Sequence, residues 1–267
     1  MITSFSNERI RHVAMLQKKA ALREEEDVFV AEGLRLFEEV PVSRLSEAYF
    51  TEGAVEALKQ RGHADVAAIL SSGRAELVSD AVFEKMSGVQ TPQGALAVVR
   101  RYAYDWPALF PEGKAPLLLL LEDIRDPGNL GSMLRTAEAA GAGGVILGGE
   151  CADVYNPKVV RSSMGAIFRL PFMRIRELSY CFSTLHGRGV SIYAAALDGA
   201  GCFSEADLSG GCAFIIGNEG AGIRKETIDE ADGSLFIPMA GKTESLNASV
   251  SAALFLYEAA RQRGYEK

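Results

Sequence analysis

A chain of 267 residues with 48 % apolar and 24 % charged side chains has room for one large globular domain or two ordinary ones. Its formal net charge of −7 excludes a globally basic nucleic-acid binder, though not a local basic patch, and no apolar run is long enough to span a membrane. Cys151, Cys181, Cys202 and Cys212 form no C-x-x-C pair, His12, His63 and His186 show no metal-ligand spacing, and no basic stretch followed by an apolar core opens the chain; the expectation is a cytoplasmic protein with reduced thiols, no secretory signal and no metal site.

The segment Ser6 to Arg23 carries Arg9, Arg11, Lys18, Lys19 and Arg23 against one acid, Glu8. Ile10, Val13, Ala14, Leu16 and Ala20 give it a loose helical stripe, so it reads either as a solvated amphipathic helix or as a phosphate-contacting patch. Phe29-Val-Ala-Glu-Gly33 predicts a short strand and turn, with a helix starting at Leu34. Strands and helices alternate from there, through the turn Gln90-Thr-Pro-Gln-Gly94 to a strand over Ala95 to Arg100. Residues 1–103 therefore make a compact α/β module. Residues 104–115, with Pro107, Pro111 and Gly113, read as a linker.

Residues 116–267 form the second domain. Leu117 to Leu121 is apolar on both faces, as in a central parallel strand. A helix over Leu130 to Ala140 follows, with Asn129 as its expected N-cap and Leu130, Met133, Leu134 and Ala137 as its buried stripe. Val145–Leu147, Ile192–Ala196, Cys212–Ile216 and Leu235–Ile237 are further strands, and Asn156-Pro157 starts a helix. The last helix runs from about Asn247 to Gln262, with Val250, Ala253, Leu254 and Tyr257 on one face.

Gly141-Ala-Gly-Gly144 and Gly217-Asn-Glu-Gly-Ala-Gly222 are glycine-rich turns, but neither is a dinucleotide fingerprint and no Walker loop exists. A nucleotide-dependent oxidoreductase is disfavoured. Such turns let backbone approach a ligand closely and present N–H and C=O groups, which suits an adenine edge and ribose hydroxyls. Arg135 reads as a solvent-facing helical arginine or as a group reaching back to Asn129. Glu219, in a glycine turn after an apolar strand, is a helix cap or a catalytic carboxylate; Ser245 and Asn247 are caps or site residues. These residues gather at three strand ends of one domain, where open α/β sheets hold ligands.

Asn129-Leu-Gly-Ser-Met-Leu-Arg135, Ile216-Gly-Asn-Glu219-Gly-Ala-Gly and Ile237-Pro-Met-Ala-Gly with Ser245-Leu-Asn247 resemble, in order and spacing, the three motifs of the SpoU (TrmH) RNA ribose methyltransferases. Ser132 and Ala248 depart from the usual alanine and valine. The first helix, Phe29-Val-Ala-Glu-Gly33 and Thr91-Pro-Gln-Gly94 are similar to the RNA-binding module often fused to that domain. The resemblance implies a parallel α/β sheet with a C-terminal trefoil knot (SPOUT type), preceded by a small α/β RNA-binding domain. It also implies a homodimer and S-adenosylmethionine as methyl donor to a ribose 2′-hydroxyl of RNA. The separate N-terminal module suggests a large structured substrate, ribosomal rather than transfer RNA. Gly217, Ile237, Leu246, Met239 and Leu197 would hold the donor; Asn129, Arg135, Glu219, Ser245 and Asn247 would form the reaction centre. Arg9, Arg11, Lys18, Lys19 and Arg161 are the candidate RNA contacts, with Lys158, Arg169, Arg174 and Arg176 on the same basic surface. The alternative is an RNA-binding or ribosome-assembly protein of the same fold without turnover.

Overall fold

A computed structural model describes residues 1–63, 65–197 and 201–264. The chain forms two compact units, Met1–Tyr102 with Asp153–Phe168, and Ala103–Ala152 with Arg169–Lys267. Among the described residues, no helix is long and apolar enough to cross a membrane.

Unit 1 opens with α1 (Glu8–Lys18) and α2 (Ala20–Glu25). Asn7 caps α1 by accepting from the Arg9 N–H at 3.0 Å, and Ile10, Val13 and Leu16 make its buried stripe. The helical pattern breaks where Lys19 goes extended, at φ −110° and ψ 107°. Next come β1 (Val28–Glu32), α3 (Leu34–Glu39), β2 (Leu45–Phe50), α4 (Glu52–Gln60), α5 (Asp65–Ser71), β3 (Ala75–Leu77), α6 (Asp80–Met86) and β4 (Ala95–Arg100). The sheet order is β1-β4-β2-β3, antiparallel except for the parallel β2–β3 pair. The stripe of α1 packs with Val82, Phe83 and Met86 of α6 over Val30, Tyr49 and Leu96. Gly94 is obligatory: its φ is +76° and a Cβ there would sit 2.2 Å from the Thr51 hydroxyl that caps α4.

Unit 2 contains β5 (Leu117–Glu122), α7 (Pro127–Ala139) and β6 (Gly144–Gly148). The chain then contributes Asp153–Phe168, including α8 (Pro157–Ser162), to unit 1, where Phe29 of β1 packs on Tyr155 and Phe168. It returns with β7 (Phe172–Ile175), α9 (Ser179–His186), β8 (Ser191–Ala195), β9 (Gly201–Cys202), β10 (Cys212–Ile216), α10 (Lys225–Glu230), β11 (Gly233–Phe236) and α11 (Ala248–Gln262). Among the described residues its seven strands are all parallel, in the order β7-β6-β5-β10-β8-β11-β9. The parallel sheet expected for this domain is therefore present. The winding reverses between β5 and β10, and ligands of open α/β sheets bind at such a reversal.

Three local expectations change. Asn129 is not the cap of α7: the helix starts earlier, at the Asp126-Pro127 pair, and Asp126 accepts from the Asn129 N–H at 2.8 Å. An Asp cap followed by a proline with no N–H to lose starts a helix well. The stretch read as a linker is packed. Trp106–Leu109 forms a 3-10 turn, and Leu109 is fully buried among Leu118, Leu120 and Ile146. Gly143 and Gly144 exist for that packing and not for a ligand, since a Cβ on Gly143 would lie 2.3 Å from the Leu109 carbonyl oxygen.

Candidate active site

The site is built where β5, β10 and β11 end. After β10, the chain turns back on itself. Asn218 and Gly222 exchange two backbone hydrogen bonds (3.0 and 2.9 Å), and the Asn218 side-chain oxygen accepts from the N–H groups of Gly220 and Ala221. Its amide N–H₂ donates to the Asp123 carbonyl at 2.9 Å, tying the turn to the β5 end. Gly217 has no room for a side chain, because a Cβ would stand 2.3 Å from the Gly222 carbonyl carbon. This turn, Leu197 after β8, and the stretch from Ile237 to Leu246 enclose a cleft of ≈ 210 Å³. Gly217, Leu197, Ile237, Met239 and Leu246 all line it, as do Glu219 and Ser245. Ile216, Leu235 and Phe255 make the apolar part of its wall, and Leu197, also in the wall, is 63 % exposed. Among the described residues, no hydrogen bond occupies the main-chain N–H of Met239 or Leu246. An apolar cleft edged by unpaired main-chain donors fits an adenosine with a short charged tail better than it fits a phosphate.

Asn129, Glu219 and Asn247 meet beside this cleft. The Asn129 amide N–H₂ donates to Glu219 Oε1 at 2.8 Å, and the Asn247 N–H₂ donates to Asn129 Oδ1 at 3.1 Å. The direction of this chain is set by a helix cap. Asn247 caps α11 and spends its oxygen on the Ser249 N–H (2.9 Å) and hydroxyl (2.6 Å), so only its N–H₂ can face Asn129. Asn129 must then offer its oxygen to Asn247 and its own N–H₂ to the carboxylate. Glu219 keeps its second oxygen exposed at the cleft. The predicted cap role of Asn247 and its predicted site role thus coexist.

Arg135 is not brought to this group within one chain. It lies six residues beyond Asn129 on α7, about 120° around the helix. It is exposed, and among the described residues it makes no hydrogen bond or ion pair. The sequence suggestion that it reaches back to Asn129 is not met. α7 and α11 pack side by side. On α11, Val250, Leu254 and Tyr257 are exposed (46, 37 and 43 %) while Ala252, Phe255 and Leu256 fill the core.

A supporting layer escaped the sequence reading. Glu122, at the end of β5, is buried and accepts from the Arg224 N–H (2.7 Å) and the Thr227 hydroxyl (2.6 Å), which pins the start of α10. Asp123, at φ 55°, accepts from the Glu150 N–H (2.6 Å) and the Arg224 guanidinium (2.6 Å). Burial alone would raise the Asp123 pKa, but these donors outweigh it and hold it below the usual carboxylate range. Hydrogen bonding to Asp123 in turn raises that of Arg224. The signal was an acid pair straight after an apolar strand.

The predicted RNA contacts separate. Arg11, Lys18 and Lys19 are exposed. Arg9 is committed to Glu76 (2.7 Å) and Glu47 (3.4 Å) and lies over Tyr49. Arg23, counted with the basic segment, is 3 % exposed and bonds the Leu16 carbonyl (2.7 Å) and Asp153 (2.5 Å). Arg161 is half-buried on α8 in unit 1. In unit 2, Arg169 pairs with Glu138, and Arg174 donates to the carbonyls of Gly149 and Cys151. Among the described residues there is no cluster able to hold a metal ion.

The model of the SpoU rRNA Methylase family matches residues 116–257, and that of the MRM3-like substrate binding domain matches residues 7–97. The 23S rRNA (guanosine(2553)-2'-O)-methyltransferase RlmP of Bacillus subtilis (strain 168) is 33 % identical over 260 residues, covering 96 % of this chain and 97 % of that protein. A crystal structure of an RNA 2'-O ribose methyltransferase is 33 % identical, covers 98 % of both chains and superposes with a TM-score of 0.81. The SpoU methyltransferase AviRb from Streptomyces viridochromogenes, in complex with the cofactor AdoMet, is 29 % identical, covering 98 % of this chain and 100 % of its own, with a TM-score of 0.81. With its parallel sheet, its glycine-turn cleft and these matches, the chain belongs to the SpoU rRNA methylase family.

Proposed function

We infer that this chain transfers a methyl group from S-adenosylmethionine to a ribose 2′-hydroxyl of ribosomal RNA. The observation that carries the reading is the oriented Asn247–Asn129–Glu219 chain at the edge of the cleft. The names of the relatives support it: RlmP is a 23S rRNA guanosine 2'-O-methyltransferase, and AviRb was crystallised with AdoMet.

When bound, S-adenosylmethionine supplies an electrophilic methyl on a sulfonium. Gly217, Ile237, Met239, Leu246 and Leu197 hold it, largely through main chain and apolar contact. Glu219 receives the 2′-hydroxyl proton on the oxygen that Asn129 leaves free. The donor would give its methyl to O2′ and leave as the neutral thioether, and the proton released would stay on Glu219. Asn129 and Asn247 keep the carboxylate aimed, and general base catalysis of this kind contributes about 10²–10⁴-fold. Ser245, on the cleft wall, hydrogen-bonds the ribose.

Arg135 completes the site from a second copy of the chain. A permanently charged guanidinium is a poor base but a good clamp for an RNA phosphate and for a developing alkoxide. The dimer is supported by the exposed apolar stripe of Val250, Leu254 and Tyr257 beside α7. The knotted threading that the resemblance implies belongs to the same proposal, supported by β10 lying between β5 and β8. The cytoplasm is the proposed location, supported by the bacterial rRNA methyltransferase among the relatives.

Calorimetry with S-adenosylmethionine, then transfer of labelled methyl to an unmodified 23S rRNA transcript, tests the reading. Donor binding together with transfer is expected. Donor binding without transfer to any RNA would favour the non-catalytic alternative. For the dimer, Arg135→Ala and Glu219→Gln proteins, each nearly inactive, are expected to regain up to a quarter of wild-type activity per site when unfolded and refolded together. No recovery on mixing would remove the shared site.

A further inference from the structure

Unit 1 holds a second cavity, of ≈ 600 Å³. Its walls are the Glu32–Leu36 turn, the Thr91–Gln93 loop, Arg61, and Arg161 and Met164 from the Asp153–Phe168 segment. The two motifs that resembled an RNA-binding module meet here, where the Gln93 side chain accepts from the Leu34 N–H at 3.0 Å.

The charges of the cavity do not close on themselves. Arg61 is paired with Glu38 at 2.8 Å. Arg35 is exposed, and among the described residues it has no ion-pair or hydrogen-bond partner. Arg161 Nη1 is buried and, among the described residues, has no acceptor. Glu32, the one carboxylate among the described residues of the wall, is already taken by the Gln17 amide (2.8 Å), the Gly88 N–H (2.9 Å) and the Ser87 hydroxyl. A buried guanidinium N–H without a partner is rare and calls for an acceptor, and beside the second unpaired cation of Arg35 an anion meets that need best.

Met164 adds an apolar element. It is 42 % exposed, lines the same cavity, and has a φ of 50°, which a non-glycine residue adopts only against strain. Leu34 and Val89 are beside it in the wall. Two unpaired cations next to an exposed flexible thioether match a nucleotide, with phosphate on one side and a base face on the other.

We infer that this cavity is an RNA subsite that takes one phosphodiester and its adjoining unstacked base, with Arg161 and Arg35 on the phosphate and Met164 against the base. The inference rests on RNA being the substrate and goes beyond the substrate-binding match of unit 1 by assigning one nucleotide to this cavity and naming the side chains that take it.

The test uses the full chain and an unmodified 23S rRNA transcript, with binding measured across a salt series and methyl transfer measured under steady state. Arg35→Gln and Arg161→Gln are each expected to weaken RNA binding about 3- to 10-fold and to lower the salt slope by about 0.7–0.9. The KM for RNA rises in both, while kcat at saturating RNA and donor affinity stay at wild-type values. Arg161→Lys restores the slope but not the full affinity, because it loses the paired donors. Met164→Gly relieves the backbone, so it raises the melting temperature while weakening RNA binding; a merely structural residue would not separate the two. Wild-type slope and KM in both glutamine variants overturn the subsite and leave the methyltransferase reading intact. Arginine-dependent RNA binding with no methyl transfer by the wild type keeps the subsite and sinks the enzyme reading. A wild type that does not bind the transcript overturns the subsite.

Discussion

The cleft of unit 2 and the basic segment of unit 1 respond to folding in opposite ways. In the cleft, residues far apart in sequence converge: Asn129 meets Glu219 across 90 positions and Asn247 across 118. In the basic segment, residues that look alike diverge. Arg11, Lys18 and Lys19 face solvent, Arg9 holds two glutamates, and Arg23 is buried against Asp153. A motif of mixed chemistry specifies its partners, whereas a run of like charges specifies only a net sign. Substitutions in the cleft should therefore change chemistry with little change in RNA affinity, and those in the basic segment should do the reverse or change stability.

Among substitutions that leave Glu219 and Arg135 in place, the largest expected effect is that of Asn129→Ala. It frees Glu219 and leaves the Asn247 N–H₂ without its acceptor, so methyl transfer should fall about 10²–10³-fold, with near-normal RNA affinity. Single-turnover rates at saturating RNA check this, and a loss confined to the KM for RNA would break the comparison. Gly217→Ala comes next. Its Cβ would stand 2.3 Å from the Gly222 carbonyl carbon, so the turn must open. Donor binding should drop at least tenfold by calorimetry, with about 1–3 kcal/mol of stability lost in denaturant titration.

The smaller effects separate two arginines of one segment. Arg23→Ala strands Asp153 and the Leu16 carbonyl and should destabilise the protein by about 1–3 kcal/mol. Arg11→Gln, on the exposed face, should leave stability within about 0.5 kcal/mol. If Arg11 contacts a phosphate, it should lower the salt slope of RNA binding by about 0.7–0.9. Equal stability losses in the two variants would show that burial does not distinguish them.

Much of the cleft was legible because its residues carry local signals. Gly217 ends an apolar strand, and Asn247 precedes an apolar helix as a cap must. That Asn247 both caps a helix and orients Asn129 was not legible, since a cap is a local event and the second hydrogen bond crosses the fold. The parallel sheet could be read from Leu117–Leu121 and Cys212–Ile216, which are apolar on both faces. The departure of Asp153–Phe168 into unit 1 could not, because Val159 and Val160 are equally apolar whichever core receives them. Arg23 was misread for a related reason: nothing in its neighbours announces Asp153, 130 positions on. Of the two readings open for Arg135, the exposed helical arginine is the one met, since its phase on α7 carries it away from Asn129.

The most direct measurement identifies the product. Unmodified 23S rRNA transcript is incubated with S-adenosylmethionine and either wild-type protein or Glu219→Gln, digested to nucleosides and analysed by mass spectrometry. Wild type should yield a single ribose 2′-O-methylated nucleoside, and Glu219→Gln at least a hundredfold less of it at unchanged donor affinity. A methyl group found on a base, or undiminished 2′-O-methylation by Glu219→Gln, would rule out Glu219-assisted ribose methylation.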